Sequence, residues 1–183
     1  AVTLALTLTI PGSLPVLAEE AEQTETQGTE QGAAEEEQVL KEETGATVTA
    51  KDGTVTGYAT LKEAAKAAPE GSTVQLQTDA VLGQWGIETS QFGVTLDLNG
   101  HVIDGSAVTG NNGRAVYLRT SYGTKPSEGS DRTVRVINSS DQEAKISARI
   151  PIESSCGNSE YSLPVEIAEN VSLEVLEGGT DAV

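Results

Sequence analysis

Methionine is absent, and tryptophan, phenylalanine, histidine and cysteine each occur once in 183 residues. These scarcities exclude several kinds of protein. A lone Cys156 cannot close a disulfide within the chain. A lone His101 leaves no His-x-x-x-His or paired-cysteine spacing for zinc, and any Ser-His-Asp triad would have to be built round that one imidazole. Its place directly after Asn99-Gly100 reads as a turn residue. Basic residues are scarce too: 11 Lys and Arg stand against 28 Asp and Glu, a net charge of −17. Nucleic-acid binding needs Lys and Arg to neutralise phosphates, so no nucleic-acid partner is expected. No apolar run has the length of a membrane span.

What is present falls into three stretches. Residues 1–18 carry a short apolar run (Val2, Leu4, Leu6, Leu8, Ile10), broken by Pro11 and Gly12. They end in Val16-Leu17-Ala18, which fits a signal-peptidase site before Glu19. The stretch reads as a secretory signal peptide without its basic start, and it places the mature chain outside the cell, secreted or on the surface. Residues 19–45 form a different material. From Glu19 to Thr44 ten Glu face one Lys, with almost no large apolar residue. Such a segment cannot bury enough surface to offset its conformational entropy, so it is expected to be a disordered acidic linker. Residues 46–183 carry the folding pattern.

That pattern opens with Ala46–Ala50 and Thr54–Tyr58 around Lys51-Asp52-Gly53, a hairpin signal, with Val48 and Val55 expected to face a core. Thr60 then stands three residues before Glu63, a capping-box spacing. Leu61, Ala64, Ala65 and Ala68 recur on one face of the helix this starts, and Pro69 and Gly71 end it. The apolar face is mostly alanine, which suits close approach to a flat end surface. Thr73–Gln77 alternates, with Val74 and Leu76 on one side, and Val94–Leu98 repeats the alternation. The step from Val74 to Val94 gives a period of about twenty residues, in the range of stacked repeats.

Three segments carry a family resemblance: Ala59-Thr60-Leu61-Lys62-Glu63-Ala64, Gly71-Ser72-Thr73-Val74-Gln75-Leu76 and Thr95-Leu96-Asp97-Leu98-Asn99-Gly100-His101. Together they resemble the start of pectin-lyase-like right-handed parallel β-helix proteins, most of all the surface and adhesin-like members secreted by bacteria. The resemblance spans Ala46–Gly105 and is only loosely periodic beyond. It implies an all-β fold, a right-handed parallel β-helix with a short N-terminal capping helix, and an extracellular location. It does not imply lyase activity.

Later segments continue the strand pattern. Ala115–Arg119, with Val116 and Leu118 inward, reads as a third rung, its Leu118 stacked beneath Val74 and Leu96, and Thr133–Ile137 as a fourth. Lys145–Ile152 is interrupted by Pro151, which lacks an N–H and points to a corner or bulge. Ser154–Ser162 reads as a polar loop. Val165–Ile167 and Val171–Leu176 read as two short strands paired around Glu169-Asn170. A stack ending on a bare strand exposes apolar rows and unpaired edge, so a fragment with further rungs downstream is expected.

Candidate site residues are few. Trp85 invites sugar stacking; the alternative is a satellite cluster with Ile87 and Phe92 over the edge of a rung. Asp97, outward on its strand, and Asp104, in the next turn, offer an acid–base pair for glycoside hydrolysis or oxygen ligands for calcium. The alternative is that both are solvated acids. Around them no acidic cluster gathers, and Arg114, Arg119, Arg132, Arg135 and Arg149 are scattered. Asn99 suits a bend where its amide bonds backbone groups. No catalytic constellation, metal set or cofactor motif is expected. Two functions remain. One is a secreted or surface-attached, non-catalytic β-helix module, a stalk, adhesin or glycan-contacting surface whose partner is an extracellular or cell-wall polysaccharide. The other is the N-terminal part of a polysaccharide lyase or glycoside hydrolase whose active rungs lie downstream.

Overall fold

The computed structural model describes residues 44–177. The expected signal peptide and the acidic linker as far as residue 43 lie outside the described residues. Gly45, assigned to the linker from sequence, is tied to the folded part just before its first strand: its N–H donates to the Tyr58 carbonyl at 2.9 Å and its carbonyl accepts from Gln77 at 3.0 Å.

The described part is mostly β. It begins with the hairpin β1 (Ala46–Thr49) and β2 (Val55–Tyr58), followed by α1 (Leu61–Ala67). Then come β3 (Thr73–Leu76), β4 (Ala80–Val81), β5 (Ile87–Thr89), β6 (Thr95–Asp97), β7 (Val102–Asp104) and β8 (Arg114–Thr120). They are followed by β9 (Val134–Ile137), β10 (Ala144–Ala148), β11 (Ile150–Cys156), β12 (Val165–Ile167) and β13 (Val171–Val175).

From β3 onward the strands enter three sheets in rotation. The first sheet holds β3, β6, β9 and β12, the second β4, β7, β10 and β13, and the third β5, β8 and β11. Every pairing among them is parallel. Each strand therefore bonds to one three places away, never to its sequence neighbour. β1 and then β2 extend the first sheet antiparallel at its N-terminal edge. The chain thus bends from sheet to sheet, and side chains of all three meet in one shared core.

The register stacks apolar on apolar. Val74, Leu96, Val136 and Ile167 form a row across the first sheet. Ala80, Ile103, Ile146 and Leu173 cross the second, and Ile87, Val116 and Ile152 the third. The central members of these rows are at most 1% exposed. Burying each such aliphatic side chain contributes about 1.5–3 kcal/mol.

Several details correct the sequence reading. Leu118 is buried, but it stacks on Thr89 in the third sheet and not beneath Val74 and Leu96. The segment read as a third rung is the third side of the second turn of chain. The uneven spacing that the loose periodicity leads one to expect is present. Side-chain bonds between stacked turns join residues 22 apart (Gln75–Asp97), 40 apart (Asn99–Ser139) and 31 apart (Arg135–Glu166), because loops of different length intervene. β12 and β13 are not paired with each other: β12 bonds to β9 and β13 to β10. Ser154–Cys156 continues β11 instead of opening a loop. Val55 is 37% exposed, because the hairpin register sets it opposite Thr49 while Val48 faces the core.

Other expectations are met. The Thr60 hydroxyl caps α1 by accepting from the Glu63 N–H at 3.2 Å. Gly71 turns the chain after the helix with φ +71°, a conformation that favours glycine. Leu61, Ala64 and Ala65 are buried, and the helix lies against β1, β3 and β5 at the N-terminal edge of the sheets. Pro151 is skipped in the ladder between β11 and β8.

At the bend between first and second sheets, asparagines tie successive turns together. The Asn99 amide donates to the Leu76 carbonyl at 3.1 Å, and that of Asn170 to the Asn138 carbonyl at 2.9 Å. Asn138, 8% exposed, donates to the Gln142 carbonyl at 2.8 Å and accepts from the Gly100 N–H at 2.8 Å. Asn99 takes φ +48°, a left-handed turn asparagine tolerates.

Candidate functional site

The three sequence candidates sit on separate elements. Asp97 ends β6, Asp104 ends β7, and Trp85 lies between β4 and β5. The two aspartates belong to different sheets, and neither lines the grooves bordered by Trp85.

Asp97 is not turned to water. It is 3% exposed, and its carboxylate accepts four hydrogen bonds: from the Ser139 hydroxyl at 2.6 Å, the Gln75 amide at 2.8 Å, and the Asn99 and Ser139 N–H groups, both at 3.0 Å. Burial pushes its pKa up, but these donors outweigh it and hold the carboxyl below its ordinary value. Asp104 is half-buried and accepts from the Ser106 N–H at 2.9 Å, the main cause of its lowered pKa. Each carboxylate closes a turn. His101 is likewise engaged, its Nδ1 lying 3.2 Å from Asp79, which also accepts from the Val102 N–H.

Trp85 stands where two grooves meet. One, of about 390 Å³, runs from Gly45 and Thr60 past Asp79 and Leu82. The other, of about 460 Å³, lies between α1 and the outer side of the third sheet, where Lys62, Lys66, Glu88, Asn111, Arg114 and Tyr117 line it. The indole is 49% exposed. It rests over Gly110, where an added Cβ would come within 2.3 Å of the ring. Gly86 lets the next residue pass tightly over β8, since a Cβ there would meet the Arg114 carbonyl at 2.1 Å. The other two members of the expected aromatic cluster part company with Trp85. Ile87 joins the core, and Phe92 is buried edge-to-face against Tyr161, with ring centres 6.3 Å apart.

Tyr117 forms the floor of this second groove. The guanidinium carbons of Arg114 and Arg119 lie 5.0 and 5.7 Å from its ring centre, within cation–π range. Arg114 bonds to Glu153, which raises the arginine's pKa. Arg119 Nε is 2.6 Å from Glu88 without an aligned hydrogen bond, so charge holds that pair. Two of the arginines that look scattered in sequence are thus gathered on one ring. The alternation of Val116 and Leu118 inward carries the signal for half of this, because it sends Tyr117 and Arg119 outward together. Lys62 and Lys66 were legible only as the wet face of a helix, since the sheet they overlook comes from residues far along the chain.

Chemically the groove offers an aromatic surface, cationic groups and one lining carboxylate, Glu88, already paired. Such a set is suited to contact a ligand; among its lining residues no two carboxylates are arranged as acid and base. Among the described residues no group of three or more His, Cys, Asp or Glu is placed to hold a metal ion, and no helix is long and apolar enough to cross a membrane. Comparison with family models, curated proteins and solved structures finds no match.

Proposed function

We propose that this chain is a secreted or surface-attached module built as a right-handed parallel β-helix, with α1 as its N-terminal cap, and that it contacts extracellular or cell-wall polysaccharide without catalysing a reaction on it. The rotation of strands through three parallel sheets supports the architecture. The observation that carries the function is Trp85: the chain's one tryptophan stands half-exposed where two grooves meet, above an open groove floored by Tyr117. A half-exposed indole beside an open groove offers a flat apolar face, and the ring faces of sugars are suited to stack on it. The stacked turns supply a stiff frame on which such a surface can be held as a stalk or adhesin.

The test is a glycan-array screen of the full chain beside Trp85→Ala. Binding to one class of glycan that disappears in the variant supports the reading. A blank array from a folded chain, or binding indifferent to Trp85, overturns it.

A further inference from the structure

We infer that the groove beside Trp85 takes an anionic polysaccharide, recognised by Lys62 and Lys66; this rests on the glycan-contacting reading and specifies its ligand. The two lysines are four residues apart on α1, hence on one face, and both line the groove. Acids outnumber bases by 28 to 11 in this chain, and among the described residues five other bases are paired with carboxylates. Lys51 meets Glu70, Arg114 meets Glu153, Arg119 meets Glu88, Arg135 meets Asp131 and Glu166, and Lys145 meets Glu174. Lys62 and Lys66 have no carboxylate partner among the described residues. Within the groove Glu88 is already spoken for by Arg119, so two ammonium charges remain unmatched beside Trp85 and Tyr117.

A neutral sugar needs the aromatic surface and polar groups but not these charges. A sugar bearing a carboxylate, sulfate or phosphate uses both. The overall charge of −17 does not forbid this. At physiological salt charges are screened beyond about 8 Å, so the groove's own lining governs contact.

The experiment measures binding of the full chain, at roughly physiological salt, to polygalacturonate, dextran sulfate, poly(glycerol phosphate), neutral dextran and polyglutamate. Each is repeated with Lys62→Gln/Lys66→Gln and with Trp85→Ala. The expected result is binding to at least one anionic glycan and not to dextran, weakened roughly ten-fold by the double lysine variant, as two exposed ion pairs lost together would give. Trp85→Ala weakens it as well. The best of the three anionic glycans identifies the charged group. Binding to dextran that depends on Trp85 and ignores the lysines overturns this inference and leaves the glycan reading standing. Equal binding to polyglutamate, indifferent to Trp85, shows a bare polyanion patch and overturns the glycan reading. Silence toward all five overturns both.

Discussion

The hydroxyl of Ser139 donates to the carboxylate of Asp97 at 2.6 Å, tying the end of β6 to the bend that follows β9 across 42 positions of sequence. Asp97 therefore acts as a clamp between turns, and its charge is what the donors around it are arranged to meet. Its folded pKa is lowered, so its contribution to stability is fully present above the unfolded value, about 3.9, and is lost as pH falls through the folded value. Asp97→Asn is expected to cost about 2–3 kcal/mol at neutral pH, the scale of hydrogen bonds to a buried charged group. That gap narrows as pH drops below about 4. Urea unfolding of both proteins between neutral pH and pH 3 checks it. A gap that stays constant with pH shows that the charge contributes nothing.

Asn138 stands at the bend between two sheets and serves three turns of chain at once. Its side chain accepts from Gly100 on the turn before, donates to Gln142 on its own, and lies 3.3 Å from the Asn170 carbonyl on the turn after. Asn138→Ala removes all three of these part-buried hydrogen bonds, at about 0.5–1.5 kcal/mol each. We expect a loss of about 3 kcal/mol in unfolding free energy, and Asn99→Ala, with one such bond to the Leu76 carbonyl, to lose less. Chemical denaturation of the two variants side by side ranks them. The reverse order would place the coupling between turns elsewhere.

How much of this was legible in the sequence depends on distance along the chain. The helix was, down to its cap, because Thr60 and Glu63 are neighbours and the 3.6-residue period is local. The inward faces of β3, β6, β8 and β9 were, because alternation is local too. β4 and β5 were not: they are two and three residues long, and β5 turns Thr89 into the core with a buried hydroxyl that has no partner among the described residues. Assignment of strands to sheets failed for a different reason. Alternation says which side chains face in, but not which earlier strand lies alongside, so Leu118 reads as lying beneath Leu96 although it belongs to the third side of the same turn. The same limit hid the site. Trp85 was marked by rarity, while Lys62 on α1 and Tyr117 on β8 come together only through the stacking. Asp97 was misjudged because its principal donor, Ser139, arrives from a later turn.

The hairpin gives a direct test of register. Val48 is 4% exposed and pairs with Val74, whereas Val55 is 37% exposed and pairs with Thr49. Val55→Lys is expected to change stability by no more than about 0.5 kcal/mol, as surface substitutions do. Val48→Lys buries an unpaired charge and is expected to unfold the N-terminal edge or lose at least about 3 kcal/mol. Thermal melts of the two proteins distinguish these outcomes. Equal damage from both would mean that the hairpin is paired one residue out of step.

Gly110 controls the position of Trp85. An added methyl there would come within 2.3 Å of the indole, but what it meets is the edge of a side chain standing half in water, which can swing away. Gly110→Ala is therefore expected to cost little stability, about 1 kcal/mol or less, while displacing the ring from the groove. Gly86→Ala makes the opposite case: the obstacle is the carbonyl of Arg114 on β8, which cannot yield without breaking the sheet. It is expected to lower stability by more than about 2 kcal/mol. Because Trp85 is the chain's one tryptophan, its fluorescence reports on the groove alone. Gly110→Ala should shift that emission toward the red and weaken glycan binding as strongly as Trp85→Ala, with an unfolding midpoint near that of the unmodified protein. An unchanged emission would mean that the indole does not rest on Gly110, and the groove would lose its aromatic wall.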